Sequence, residues 1–464
     1  MKTRREQDGL GALDVPADAY WGIHTERARA NFPFPGPRAA AELVQALATV
    51  KRACLAANRE LGYVPDDLAA PLDQACAEVA AGQWAEQFPL SALQGGAGTS
   101  LNMNLNEALA NRALELLGEA RGRYDRVDPL RHVNLHQSTN DVYPTAVAVA
   151  LIRGFRALHP AFAAWQGALQ ERERTFAEVV KLGRTELQEA APLTLGVEFG
   201  AWAEAVARDR WRTFKCEERL RTVPLGGTAV GTGLTAPRDY IFLAIEKLRE
   251  LTGMGLTRPD LGPDAVANGD RLVECAGILE AAASNLIKIA QDWRLLNLLG
   301  ELRLPPLQAG SSIMPGKVNP VLAEAAIAVG LRVAANSRLV GDAVSRGTLQ
   351  LCEFLPPAAE AMLESQRLLL ALLPELARHT AALRADEAAC RARLARSPAL
   401  ITALLPRLGY ARAEELLRRY HALPAAPEFQ PWLEQELDPA TVRDALTPQH
   451  LTALGHHQPI TSNQ

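Results

Sequence analysis

Four short segments concentrate the residues able to do chemistry: QGGAGTSLNMN at 94–104, HQSTNDVYPT at 136–145, GRTELQEAAP at 183–192 and AGSSIMPGKVNP at 309–320. Each is rich in hydroxyl and amide side chains, is marked by glycine or proline, and borders apolar, helix-forming sequence. Taken singly, such a segment reads equally well as a helix start, because Ser, Thr, Asn and Asp side chains accept from the free N–H groups of a first helical turn. Taken together, the four supply many neutral hydrogen-bond donors and, in Lys317, a lysine cation. That combination suits a small dicarboxylate.

Other motifs point nowhere so specific. GGTAVGTG (226–233) lacks the GK[ST] ending of a phosphate loop, and no Val- or Ile-rich strand precedes it as a dinucleotide fold requires, so it reads as a structural turn. PGKV (315–318) fails the same spacing. His132 and His136 in HVNLH stand one helical turn apart, but no glutamate follows the first histidine, and no metal site is expected.

The elements that must position these segments are helices. A chain of 464 residues exceeds one ordinary core, which implies two or three domains, or one long shared bundle with smaller domains at its ends. Only 5% of residues are aromatic, and abundant Ala, Leu, Glu and Arg favour helix over sheet. Between 271 and 299, Leu272, Ala276, Leu279, Ala283, Leu286, Ala290 and Trp293 step by three or four residues along one face. Val273, Ile278, Ile287 and Leu295 occupy other faces, so this helix belongs inside a large bundle or at a subunit interface. Similar patterns run over 142–180, 195–220 and 321–349, broken by turn-rich stretches at 223–237 and 302–316 and by a further break at 383–387. The ending HHQPITSNQ reads as a frayed tail.

Bulk properties exclude several classes. A net charge of −4 with both signs interspersed gives no nucleic-acid footprint. The opening MKTRREQDGLGALDVP has no apolar run, so no secretory leader is expected, and no uninterrupted apolar run approaches membrane-spanning length. Cys54, Cys76, Cys216, Cys275, Cys352 and Cys390 are scattered, which reads as buried free thiols in a reducing cytoplasm.

With these segments in view, the chain resembles the aspartase/fumarase superfamily along almost its whole length. GSSIMPGKVNP (310–320) is similar to that family's fingerprint, DVPADAYWGIHTERARANFPFPG (14–36) to its N-terminal domain, and SPALITALLPRLGYARAEELLRR (397–419) to its small C-terminal domain. QGGAGTS, QSTND and NPVLAE lean toward the aspartase branch. The resemblance implies an all-α, three-domain fold: an N-terminal helical domain over 1–137, a central long-helix bundle over 138–385 and a small C-terminal helical domain over 386–464. It also implies a homotetramer whose central helices form one shared bundle and whose active sites each draw on three subunits. The helices that are apolar all round favour such an assembly independently.

The implied reaction is reversible elimination of ammonia from L-aspartate to give fumarate. Removing the β-proton builds a doubly charged enediolate, so stabilising that charge is the central task, and one preorganised donor contributes about 3 kcal/mol. By resemblance, Ser311 is the base; Thr99, Ser138, Thr139 and Ser312 surround the carboxylate that becomes the enediolate; Lys317 and Asn319 anchor the other carboxylate, with Thr185 beside them; Asn140 meets the leaving group. A serine hydroxyl needs help to act as a base. Lys317, close by in sequence, is expected to lower the cost of an alkoxide, and Gly310 and Gly316 to make the segment a pliable lid.

Glu186 departs from the family, which usually has His or Gln after GRT. Glu324 matches a glutamate that pairs with that histidine in fumarases, so the two carboxyls are expected to lie together with one pKa raised. Glu186 then either recognises or protonates an amine leaving group, or forms a salt bridge with Arg184 or another subunit. No cofactor or metal ligand is implied, although some aspartases respond to divalent metal ions. Two alternatives stand beside this reading: hydration of fumarate or addition of another amine to it, and a non-catalytic homologue, against which the retained Ser311, Lys317 and Asn319 argue.

Overall fold

The computed structural model describes residues 2–455; the HHQPITSNQ ending lies outside the described residues. Ala- and Leu-rich sequence folds into five long helices, Thr139–Thr175, Leu195–Leu220, Asp270–Leu298, Val321–Val344 and Leu355–Ala382, so the protein is mostly helical. Four of them follow the apolar periodicity. The expected 142–180 run stops at Thr175 because Val180–Thr185 is a strand, and the expected 321–349 run stops at Val344. The fifth, Leu355–Ala382, opens on two prolines, which a first helical turn tolerates because its N–H groups are unpaired in any case.

The chain forms two compact units. One comprises Met1–His159, Trp211–Ala281 and Arg332–Leu370, the other Pro160–Arg210, Ala282–Leu331 and Ala371–Gln464, and every boundary falls inside a long helix.

The first unit begins with a hairpin, Thr3–Asp8 against Gly11–Pro16, ahead of helices Ala41–Glu60, Asp66–Ala80 and Thr99–Leu116. Glu107, buried on the last of these, accepts the backbone N–H of Gly22 (2.9 Å), His24 (2.8 Å) and Thr25 (3.1 Å). Glu6 Oε2 accepts the Ile23 N–H between them (2.8 Å), so two carboxylates satisfy the orphan donors that start the Ile23–Asn31 helix.

The second unit holds a cluster of three tryptophans. Trp293, fully buried, meets Trp165 and Trp202 edge-on, with ring centroids 6.5 Å away in each case. Two of the three indole N–H groups find partners, Trp165 donating to Thr380 Oγ1 (3.2 Å) and Trp202 to Asp292 Oδ2 (3.0 Å), whereas the buried Trp293 Nε1 has none among the described residues. A second hairpin, Val180–Thr185 against Gln188–Thr194, buries Leu182 among Leu394, Leu400, Leu404, Leu416, Phe429 and Leu433 of the C-terminal helices.

The Thr139–Thr175 helix carries Pro144, Arg153 and Arg156 within its apolar sequence and is no uninterrupted apolar run. An 18-residue window of it has a mean hydropathy of 1.3, long and apolar enough to cross a membrane, but 56% of that window is buried within the chain, as a core helix requires. All six cysteines are unpaired and buried.

Candidate active site

Three of the four polar segments are both helix starts and clusters of donors. In the first unit, the chain reaches Thr99 through Gly96, Ala97 and Gly98, all left-handed, at φ 82°, 55° and 90°. A Cβ at Gly98 would lie 2.5 Å from the Tyr143 ring, so only glycine fits there. Thr99 opens its helix and Thr139 opens the next. The two starts are tied: Asn102 Nδ2 donates to Thr139 Oγ1 (3.1 Å), and Ser138 Oγ accepts the N–H of Asn140 (3.2 Å). Thr99, Ser138, Thr139 and Asn140 are half-buried, with hydroxyl and amide groups at two helix N-termini, where the backbone dipole favours an anion.

Behind them sits a polar network the sequence reading missed. Lys51, 1% exposed, donates to Asn134 Oδ1 (2.7 Å) and Gln137 Oε1 (2.9 Å), and Asn134 Oδ1 also accepts from Asn102 (3.3 Å) and Asn106 (3.2 Å). Burial pushes the Lys51 ammonium down to about 8. Asp141 is fully buried, its two oxygens accepting the N–H of Ser138 (3.0 Å) and Thr228 (2.9 Å). Burial pushes its carboxyl up to about 6 against the pull of those backbone donors and of Lys51. The signal for Lys51 was present in ALATVKRACLAAN, where a cation stands on the apolar face of a helix. The amide residues gave none, because only the fold brings 102, 106, 134 and 137 together.

In the second unit, the 309–320 segment is cinched at its neck. Gly310 donates to Lys317 O (2.8 Å) and accepts from Asn319 Nδ2 (3.0 Å), and a Cβ at Gly310 would lie 2.8 Å from the Asn319 nitrogen. Gly316 turns left-handed at φ 79°. These glycines therefore serve close approach and a tight turn, where pliability alone was expected. Within the loop, Ser311 Oγ accepts the backbone N–H groups of Ile313 (3.1 Å) and Met314 (2.9 Å). Two backbone donors on a hydroxyl oxygen lower the cost of its alkoxide. That help was expected from Lys317, whose recorded role in the loop is through its backbone; its side chain is exposed, and among the described residues no carboxylate pairs with it. Ser312 is exposed and Asn319 half-buried, just ahead of the Val321–Val344 helix.

Thr185 and Glu186 lie at the tip of the second hairpin. The two-residue turn Glu186–Leu187 has both residues left-handed, at φ 53° and 59°, a type I′ arrangement that normally calls for Asn-Gly. Holding Glu and Leu there stores strain, which is typical of functional sites. At the hairpin's base, fully buried Glu301 takes Arg184 through both oxygens (2.5 and 2.9 Å) and lies 3.4 Å from buried Lys181. Arg184 is thus not the partner of Glu186. Nor is Glu186 paired with Glu324 among the described residues; Glu324 sits in the first turn of its helix, 3.9 Å from Arg294. His132 Nδ1 accepts the Asp128 N–H (2.9 Å), and His136 Nδ1 faces Asn58 Oδ1 (2.8 Å), so the two rings serve local contacts.

Comparison with known proteins agrees along the whole chain. A sequence model of a family described as "Lyase" matches residues 11–335. The aspartate ammonia-lyase of Pseudomonas aeruginosa is 40% identical over 462 residues, covering 97% of each chain. The class II fumarate hydratase of Thermosynechococcus vestitus is 38% identical over 455 residues, 94% of this chain and 97% of that one. A crystal structure described as fumarate lyase:delta crystallin from Brucella melitensis, bound to cobalt, superposes with a TM-score of 0.92 at 41% identity, covering 98% of this chain and 100% of that one.

Proposed function

This chain belongs to the aspartase/fumarase superfamily of lyases, and on that premise we propose that it eliminates ammonia reversibly from L-aspartate to give fumarate. The observation that carries the reading is the pair of backbone N–H groups held on Ser311 Oγ. They supply what a serine needs to accept a proton from carbon. The alkoxide takes the β-proton, and Thr99, Ser138, Thr139 and Ser312 donate to the carboxylate that becomes the enediolate. Lys317 and Asn319, with Thr185, hold the other carboxylate; Lys317 suits this role because its side chain is exposed and no carboxylate among the described residues pairs with it.

The leaving amine meets Asn140 and Glu186. A carboxylate at the hairpin tip attracts an ammonium ion, whereas a departing hydroxide gains nothing from it. No step draws on a cofactor. The active form is a cytoplasmic homotetramer with sites assembled from several copies: Trp211, Phe214, Leu298 and Leu331 on the long helices are 64%, 53%, 80% and 60% exposed, too much apolar surface to leave in water. Six buried free thiols suit a reducing compartment.

A second reading, hydration of fumarate, is favoured by the class II fumarate hydratase relative, whose identity is nearly that of the aspartate ammonia-lyase. Purified protein incubated with L-aspartate and, separately, with malate decides between them through the ultraviolet absorbance of fumarate. The proposal expects fumarate from aspartate; turnover of malate alone would sink it.

A further inference from the structure

The glycine-rich GGTAVGTG loop has no role in the mechanism above, yet it is fastened to the start of the Thr139–Thr175 helix. Asp141 Oδ2 accepts the Thr228 N–H (2.9 Å) while Oδ1 accepts the Ser138 N–H (3.0 Å), and Asn140 Nδ2 donates to Ala229 O (2.8 Å). The loop is stiff. Thr228 is left-handed at φ 55° and its hydroxyl donates to Leu234 O (2.7 Å). On its other side Gly231 packs against Gly262 so closely that a Cβ would lie 2.4 Å from the Gly262 carbonyl carbon.

The consequence falls on Asn140. A backbone carbonyl only accepts, so Ala229 O fixes which end of the Asn140 amide faces the loop, and Nδ2 must be that end. The amide oxygen is left without a partner among the described residues, at a half-buried position in the donor cluster. We propose that Asp141 is a positioning residue for the lyase reaction: by clasping the 226–233 loop it locks the Asn140 amide so that an acceptor, not a donor, meets an N–H-bearing leaving group. This rests on the reading that Asn140 lies beside the leaving group. An ammonium ion brings only donors, so a locked oxygen complements it, whereas a flipped amide would set N–H against N–H.

The test is addition of ammonium to fumarate by Asp141→Asn, in which one of the two oxygens accepting backbone N–H groups becomes a donor. The KM for ammonium should rise about tenfold or more, the loss of one well-made hydrogen bond, with the KM for fumarate within about threefold of the parent. A merely structural role would move both constants together in the folded variant, and that result overturns the proposal. Thr228→Gly is the companion variant. It removes the hydroxyl bond to Leu234 while relieving the left-handed backbone, so it folds even if Asp141→Asn does not, and it should shift the ammonium constant in the same selective way. An unchanged ammonium KM in Thr228→Gly overturns the clasp if Asp141→Asn is unfolded. If the parent protein consumes no fumarate with ammonium, the ammonia-lyase reading fails first, which the parental control shows before any variant is read.

Discussion

Ser311 and Met314 stand in a hydroxyl–amide relationship: the serine oxygen accepts the Met314 backbone N–H at 2.9 Å, with the Ile313 N–H converging on the same atom at 3.1 Å. The donors are fixed by the loop's own turn, so their stabilisation of negative charge does not depend on any side chain finding its rotamer. Loss of the hydroxyl in Ser311→Ala should lower kcat on the order of 10²–10⁴-fold, the usual contribution of a general base. Met314→Pro, which deletes one donor from an exposed loop, should lower it about 10²-fold with the melting temperature unchanged. A Ser311→Ala enzyme that works at the parental rate ends the mechanism.

The hairpin tip separates stability from function. Leu187 is left-handed and 75% exposed, so Leu187→Gly gives up little packing and should stabilise the protein by about 1 kcal/mol, read by chemical denaturation. Glu186→Gln keeps the backbone and removes the charge; kcat/KM for L-aspartate should fall about tenfold. If Glu186→Gln and Glu186→His both match the parent, the carboxylate has no role with the amine.

Glu301 lies fully buried between Lys181 and Arg184. Glu301→Gln leaves Arg184 without its anion and Lys181 with Glu198 alone (2.8 Å), and breaking a buried ion pair in this way costs about 3–5 kcal/mol. Because the hairpin carries Thr185 and Glu186 beyond that anchor, activity should be lost well below the parental melting temperature. A variant with a parental melting curve would show that Glu301 does not hold the hairpin.

Lys51 gives stability an unusual pH dependence. Its folded-state pKa, about 8, lies below the ordinary lysine value of 10.5, so between these values the unfolded chain binds more protons than the folded one. Stability contributed at this site is therefore smallest below pH 8 and rises as pH climbs toward 10.5, by about 3 kcal/mol in all. Lys51→Met removes that rise, and it also leaves Gln137 Oε1 without its donor, which costs about 1–3 kcal/mol, while Asn134 Oδ1 keeps Asn102 and Asn106. Urea unfolding at neutral and alkaline pH should show the gap between parent and variant widening in the parent's favour on the alkaline side. Parallel profiles would mean that Lys51 is not a buried, depressed cation.

Much of the architecture was legible in local sequence. The starts of four long helices lie within three residues of where the apolar steps placed them, since a helix face repeats within a few residues and needs no distant information. The four polar segments were legible as well, three as helix starts, because Ser, Thr and Asn announce free N–H groups wherever they precede an apolar run. The hairpin that carries Thr185 and Glu186 was not, as GRTELQEAAP has the polar residues of a cap, and its strands are fixed by Leu182 packing against helices more than two hundred residues downstream.

What only the tertiary structure decided is how each polar group is satisfied. The family resemblance marked Ser311 and Lys317 as candidates, but the choice of backbone amides over the lysine side chain as the serine's partners came from the turn between Gly310 and Gly316. Asp141 looked like one more capping residue until the fold brought Thr228 to its second oxygen. Hydrogen bonds are short-ranged and directional, so their pairing waits on the three-dimensional path of the chain, whereas helix propensity and apolar spacing are written along it.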